Sequence, residues 1–523
     1  MTALYRNTTA DPEGPFADAD EQYASMKARL VSAEWCDLDH GELERRAKPE
    51  VDELMRRLLQ DHYTLRGRAK PVEPVVGDDG VERTHVREET GRRVKTIFGP
   101  VRAERTAYCG RELSALHPTD ADLNLPSGMY SHEVKRQVVL GAVQDSFDET
   151  VNLMGRTTSA SVKKRQAEEL VQSASVDFDE FYEQRDFKPE TVEETGPVLV
   201  LSFDQKGIVL KREDLRDATR KVAEEKARKL ETRHCKGEPH GRKRMSTVAT
   251  VYTSKPHVRT PLDVIKGLRR IRDATAKPKP PPELKRVWAS LEDSPLDVIK
   301  AGFKEALKRD PDRTKKWYVA IDGDEDLETW VNSAAKEFGV EVTIVLDVIH
   351  ALQYLWKAGE AFHKEGTTEL EGWVLERLES ILEGKVSDVA AGMRRSATLR
   401  ALEPEARKPV DKCADYFLRR THLMRYHEYL AAGGPISSGA IEGTCRHLIC
   451  DRFDITGAVW GLRGAEAVLR LRAIKCSGDF DEYWRFHEDH ERQRNHNSRY
   501  ADGQPPLVEL QPHRKPRLRV PKA

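Results

Sequence analysis

Apolar residues recur at three- and four-residue spacing between Asp20 and Leu59: Met26, Leu30 and Ala33, then Val51, Leu54, Met55, Leu58 and Leu59. That period predicts amphipathic helices. Over Thr64–Asn124 the pattern alternates, as in Val94-Thr96-Phe98 and Val101-Ala103-Arg105 on either side of Gly99-Pro100, with a turn signal at Gly77-Asp78-Asp79-Gly80. A small β-meander is expected there. Helical spacing resumes at Ser131, an N-cap candidate, and continues to about Arg185. At Gly196 the texture changes again. A continuous apolar run, Pro197–Phe203, ends in Asp204, and Gln205-Lys206-Gly207 separates it from Ile208–Leu210, so the reading is buried strand, acid, turn, strand.

Further strands are predicted over Met245–Thr253, Trp317–Ile321 and Val342–Leu346, the last two ending in Asp322 and Asp347. A charged helix is expected from the first strands to about Arg233, and two helices between Thr253 and Trp317, the second over Pro282–Lys308. A helix to Phe338, an amphipathic helix over Val348–Phe362 and a strand-free helical stretch over Thr367–Leu430 follow. Gly433-Gly434-Pro435 breaks the chain before a last helical region that carries Glu442. Inside the earlier helical block, Ser146–Met154, a turn over Gly155–Thr158 and a second helix capped by Ser159 read as a helix-turn-helix. Its second helix would bury Val162, Ala167 and Leu170 and present Lys163, Lys164 and Arg165 to a DNA groove.

The chain has 523 residues, with 87 Lys+Arg against 88 Asp+Glu, so net charge gives no argument for a polyanion partner. Its distribution does. Lys206–Met245 holds fourteen basic and seven acidic residues, the first 66 residues hold nine and fourteen, and the last fourteen hold five basic residues and no acid. An acidic head with a basic middle and tail suits a nucleic-acid binder, and equally suits solvated faces. Eight Trp and fourteen Phe allow a substantial core. No apolar run is long enough to span a membrane, the first fourteen residues lack the form of a signal peptide, and seven scattered cysteines make no disulfide framework. A soluble cytoplasmic, nucleoid-associated protein with no membrane partner is expected.

Three acids carry the candidate chemistry. Asp204 and Asp322 both end predicted strands, and Glu442 lies on a predicted helix far along the chain. Strand ends lying side by side would bring the two aspartates together, and a helix packed on the sheet could add the third. Carboxylates held close repel one another, and hard divalent cations relieve that repulsion. Asp347 is a rival for the second acid because it too ends a strand. Glu466 is a rival for the third, although its setting equally suits a helix start. The His234-Cys235/His240 and Cys445/His447/Cys450 groups lack zinc-site spacing.

Several strings carry a family resemblance: Leu201-Ser-Phe-Asp-Gln-Lys-Gly207, Gly241-Arg-Lys-Arg-Met-Ser-Thr-Val248, Arg259-Thr-Pro-Leu-Asp-Val264, Val345-Leu-Asp-Val-Ile-His350 with Tyr354-Leu-Trp356, Pro435-Ile-Ser-Ser-Gly-Ala-Ile-Glu-Gly-Thr-Cys-Arg-His447, Asp454-Ile-Thr-Gly457 and Gly464-Ala-Glu-Ala-Val468. In that order, from about Phe98 to Tyr500, the chain resembles bacterial insertion-sequence transposases of the ISKra family. Cys450 and Val459 depart from the pattern, standing where relatives usually carry basic residues.

The resemblance implies a DDE transposase of multi-domain, mostly α architecture with an α/β core. That core would be a ribonuclease H-like mixed sheet flanked by helices, interrupted by an all-helical insertion and preceded by the β-meander and a helical DNA-binding region. The implied division is 1–62 helical, 63–125 β-rich, 126–195 helix-turn-helix-like, 196–365 and 433–480 catalytic core, 366–432 insertion and 481–523 basic tail. Asp204, Asp322 and Glu442 would be catalytic and hold two Mg²⁺ ions, with Mn²⁺ able to substitute. Asp347 and His350 would be auxiliary to that site. Lys163, Lys164, Arg165, Arg242, Lys243, Arg244, Arg446, His447, Trp460 and the tail from Arg514 to Lys522 would contact double-stranded DNA, the transposon ends and target. Trp460 could stack on an unpaired base or simply pack in the core. A homodimer or higher assembly on DNA is expected. The rivals are a nuclease on the same core without strand transfer and an inert DNA-binding derivative.

Overall fold

The apolar stripe near the start of the chain becomes three helices, α1 (Ala17–Leu30), α2 (Ala33–Cys36) and the long α3 (His40–Gly67). Asp39 caps α3, its carboxylate accepting the Glu42 N–H at 2.8 Å. These belong to the computed structural model of the protein, which describes residues 15–187, 189–225, 243–271, 278–437, 439–455 and 457–510. The chain divides into two compact units, 1–181 with 481–523, and 182–480.

In the first unit, β1 (Ala69–Pro71) is followed by β2 (His85–Thr96), β3 (Gly99–Gly110) and β4 (Leu113–Leu116), the last three forming the antiparallel meander that alternation predicts. Val94, Val101 and Ala103 are among its buried positions, packed with Leu125 against Leu59 and Tyr63 of α3. Helices α4 (Pro118–Asp122), α5 (His132–Ala142), α6 (Phe147–Thr157), α7 (Lys164–Ala174) and α8 (Phe178–Gln184) follow. Ser131 and Ser146 cap α5 and α6, accepting the N–H groups of Val134 and Glu149. The expected cap at Ser159 is corrected. Its hydroxyl binds the Asp52 carboxylate at 2.8 Å and its N–H the Ile97 carbonyl, so α7 starts five residues later with Lys163 at the cap.

The second unit is mostly helical around one five-stranded mixed sheet. Its elements are α9 (Pro189–Glu194), β5 (Val198–Val209), α10 (Asp217–Glu225), β6 (Lys243–Ser254), α11 (Pro261–Leu268), β7 (Glu283–Ser290), α12 (Pro295–Leu307), β8 (Lys316–Ile321), α13 (Glu325–Phe338), β9 (Val342–Leu346) and α14 (Val348–Gly359). Then come the helices α15 (Thr368–Leu382), α16 (Val386–Leu399), α17 (Pro404–Arg419) and α18 (Tyr426–Ala431) over the stretch expected to be helical. They are followed by α19 (Gly439–Thr444), a π-helical turn at Cys445–Cys450, α20 (Asp451–Phe453) and α21 (Leu462–Ser477). In the first unit, α22 (Phe480–Asn495) leads to β10 (Val508–Leu510), which pairs with β1. No described helix is long and apolar enough to cross a membrane.

The sheet runs β7-β6-β5-β8-β9, antiparallel across the first three strands and parallel across the last three. Two expectations are corrected. Gln205-Lys206-Gly207 is no turn: β5 passes straight through it, paired with β6 residue by residue from Val198↔Ser254 to Val209↔Lys243. The segment Glu283–Ser290 is strand β7, not the start of a helix, because β6 offers it an edge and its last five residues are buried. Along β5 the side chains alternate. Leu201 and Phe203 meet α12 at Gly302, where a Cβ would stand 2.8 Å from the Phe203 ring, so Val198, Val200, Ser202 and Asp204 share the opposite face.

Candidate active site

Asp204 lies two residues beyond the last β5–β8 pair, Ser202↔Ala320, and Asp322 lies two residues beyond the same pair on β8. Continuing the register sets the two aspartates level on neighbouring strands, whose backbones run about 5 Å apart. Both are half-buried. The Asp204 charge reaches Asp322: burial pushes the Asp322 carboxyl above its ordinary value and the Asp204 charge pushes the same way, opposed by the Asp324 N–H and by His350. Among the described residues no Lys or Arg forms an ion pair with either acid. Two carboxylates repelling at a strand edge with no built-in cation form an oxygen donor set that suits a hard divalent ion.

The Asp322 turn is fastened from the helical stretch. Tyr416 donates its hydroxyl to the Asp322 carbonyl at 2.9 Å, and Arg420 donates Nε to the Gly323 carbonyl at 2.7 Å. Tyr416 stacks on Tyr354 of α14 with ring centres 3.9 Å apart, and the Arg420 guanidinium lies over its ring. Gly323 has φ +85°, and a Cβ there would stand 2.6 Å from Leu346 and 2.7 Å from the Tyr416 hydroxyl. Only glycine fits that backbone and that approach.

Glu442 is exposed on α19. Three residues on, the Cys445 thiol donates to Asp204 Oδ2 at 3.2 Å, while Thr444 meets Thr250 of β6. Burial, and then the Asp204 charge, push the Cys445 thiol well up, so it stays protonated. Residues three apart share a helix face, which sets Glu442 one turn from the acid pair. The structure thus brings Asp204 and Asp322 together and puts Cys445, one helical turn along from the exposed Glu442, on Asp204. No three His, Cys, Asp or Glu residues among those described gather closely enough to hold a metal.

The rival acids are engaged elsewhere. Asp347, level with Asp322 by the Ile321↔Leu346 register, is buried and caps α14 by accepting the Ile349 N–H at 2.8 Å. His350, half-buried on the first turn of α14, acts electrostatically on Asp322. Glu466 is buried at the end of β7, accepting the Leu291 N–H at 2.8 Å and the Ser290 hydroxyl at 2.9 Å, with Arg470 at 3.5 Å.

No protein-family model matches the chain, and no curated protein matches it. Among solved structures, the Drosophila P element transposase strand transfer complex is similar, at 9% identity over 69% of this chain and 81% of that one, with a TM-score of 0.21. A superposition that loose fixes no equivalent residues.

The expected DNA-contacting residues fall into three groups. Lys163, Lys164 and Arg165 are exposed, with Lys164 paired to Asp148 at 2.7 Å and Arg165 to Glu169 at 3.1 Å. Lys243, Arg446 and His447 are also exposed, with His447 3.0 Å from Asp451. Arg244 is turned to structural use, donating to the carbonyls of Leu291 and Asp214 at 2.8 and 2.9 Å. Trp460 is buried beside Phe453 with the Arg452 guanidinium over its ring, and its backbone extends the pairing of β5, so it is a core residue here rather than a presented platform. Arg242, the His234-Cys235/His240 group and the tail from Arg514 to Lys522 lie outside the described residues. Tyr416 and Arg420 were not singled out by sequence, and Cys445 was weighed only as a zinc ligand. The one local signal was the glycine directly after Asp322.

Proposed function

We propose that this chain is a DNA transposase of the DDE class, with Asp204, Asp322 and Glu442 as its acids on a ribonuclease H-like core. One observation carries the reading: Asp204 and Asp322 lie level on neighbouring strands, the half-buried Asp322 carboxyl raised by burial and by the Asp204 charge, with no Lys or Arg among the described residues paired to them. The five-stranded mixed sheet, the helices that interrupt it and the family resemblance in the motifs around each acid support the same reading. Mg²⁺, or Mn²⁺ in its place, would supply charge neutralisation at the scissile phosphate and a more acidic attacking water.

The chain's own part is positioning. Asp204 and Asp322 would hold the cation, and Glu442 would complete the set from α19. Tyr416 and Arg420 keep the Asp322 turn in place, and His350 adds a polar group beside it. Water attacks the scissile phosphodiester, the P–O bond to the 3′ oxygen breaks, and a 3′-hydroxyl is freed. That hydroxyl then attacks a target phosphodiester, so one P–O bond forms as another breaks. Lys163, Lys164, Arg165, Lys243, Arg446 and His447 would contact DNA phosphates, and two ends joined at one target call for at least two protomers.

The test is cleavage and joining of DNA carrying the ends of the element, by full-length protein in Mg²⁺. Asp204→Asn, Asp322→Asn and Glu442→Gln should each abolish both reactions while DNA binding persists. Cleavage surviving all three changes rejects the assignment, and loss on Glu466→Gln but not Glu442→Gln moves the third acid. Cleavage of a substrate whose pre-cut end is never joined favours the nuclease reading.

A further inference from the structure

On the sheet face that carries Asp204, a second site lies at the other end of β5. Val198 and Val200 of β5 and Tyr252 and Ser254 of β6 floor a cavity of about 390 Å³. Lys255, His257, Arg259, Lys279 and Lys285 line it, and among the described residues no acid does. Its far walls are Pro280–Pro282 and the chain from Gly433 to Ile436. Val200 is four residues from Asp204 on the same face, so the cavity begins about 13 Å from the acid pair along the strand.

The cavity is built rather than incidental. The His257 N–H binds the Gly433 carbonyl at 2.8 Å, and Arg259 donates to the carbonyls of His257 at 3.2 Å and Gly434 at 3.0 Å. Gly433, at φ +71°, admits the strand-to-loop crossing, where a Cβ would stand 2.7 Å from the His257 nitrogen. The nearby acids are engaged elsewhere: Glu283 accepts the Gly196 N–H at 2.7 Å, and Asp263 accepts from the Thr260 hydroxyl and N–H. No carboxylate among the described residues pairs with Lys255, Lys279 or Lys285. Burial holds both Arg259 and Lys285 below their ordinary values, opposed at Arg259 by the Asp263 charge, and a bound anion would remove the remaining penalty. Arg259, with its guanidinium fixed by backbone carbonyls, is preorganised to present its remaining N–H groups to phosphate.

We propose that this cavity seats one nucleotide unit, its phosphate on Arg259, Lys255, Lys279 and Lys285 and its sugar or base against Tyr252 and the proline wall. The volume suits a group of that size. Two sources share this chemistry, a DNA strand running along the sheet face toward Asp204 and a free nucleoside phosphate. Only the first rests on the transposase reading.

The test uses full-length protein in EDTA, where no cleavage occurs. Fluorescence anisotropy would follow a labelled single-stranded oligonucleotide and, separately, a fluorescent adenosine triphosphate. Lys279→Gln/Lys285→Gln and the exposed single change Lys255→Gln are compared with Lys412→Gln, an exposed lysine outside the cavity, and thermal melts identify any variant that fails to fold. Each lysine removed should weaken the bound ligand about tenfold and lower the salt slope of oligonucleotide binding by about one. Lys412→Gln should change neither. An effect on the oligonucleotide alone identifies the strand as the occupant, and an effect on the triphosphate identifies the free nucleotide. Unchanged affinity for both ligands in the cavity variants, or binding of neither by the wild type, overturns the proposal. Cavity-dependent binding in a protein that never cuts DNA would retain this site and remove the transposase reading.

Discussion

Glu305 and Asp322 are both acids of the second unit, and the fold treats them in opposite ways. Burial pushes the Glu305 carboxyl up, but Arg286 and Arg309 overcome it with charge and hydrogen bonds and hold it at about 2. Arg309 also donates to the Glu305 and Leu284 carbonyls, so the cluster is closed. Asp322 is pushed up by burial and again by Asp204, with only His350 and one N–H opposed. Where this sheet needs a structural carboxylate, it builds the counter-charge from its own arginines. At Asp204 and Asp322 no described lysine or arginine is paired with either acid, the condition expected if the proposed site takes its cation from solution.

The sharpest way to break that comparison is to neutralise each site. Asp322→Asn should lower cleavage about a thousandfold or more while leaving the melting temperature unchanged or higher, because a repelled charge is removed. A clear drop in melting temperature would make Asp322 a structural acid like Glu305. Glu305→Gln should do the reverse, costing about 3–5 kcal/mol in urea unfolding by stranding two buried guanidinium groups, with oligonucleotide binding retained by the folded fraction. A smaller effect is expected of Tyr416→Phe, which removes the hydroxyl that holds the Asp322 carbonyl. It should cost about 1 kcal/mol of stability and reduce turnover more than substrate affinity, a split that steady-state kinetics would read. The last test is acid sensitivity. The folded Glu305 carboxyl titrates at about 2, below its ordinary 4.5, so its stabilisation is full above that ordinary value and is lost as pH falls from 4.5 toward 2. Urea midpoints across that window should fall more steeply in wild type than in Glu305→Gln.

Much of the sheet could be read from apolar runs, because β5, β6, β8 and β9 are dominated by residues that strands favour. The run Glu283-Leu-Lys-Arg286 has helix-favouring composition, and only the neighbouring edge of β6 makes it a strand, so β7 was out of reach. Lys206-Gly207 looked like a turn because glycine often marks one. Here it admits the close approach of Lys243 and Met245 across the β5–β6 pair. The pairing of Asp204 with Asp322 was legible because both acids stand at ends of apolar runs, and their side-by-side placement follows from parallel strands. The helpers were not. Tyr416, Arg420 and Cys445 reach the site across 94, 97 and 241 residues of chain, a separation at which local pattern holds no information.

The π-helical turn at Cys445–Cys450 leaves backbone oxygens that an ordinary helix would consume, and the buried Arg472 collects two of them, at His447 and at Leu448. A wider turn of this kind carries one residue too many for regular pitch. Excising a single codon there would let the coil tighten to regular pitch and return both carbonyls to the helix, leaving the captured guanidinium without them. A one-residue deletion would therefore be felt first at Arg472, more than twenty residues downstream, without altering any acid of the candidate site.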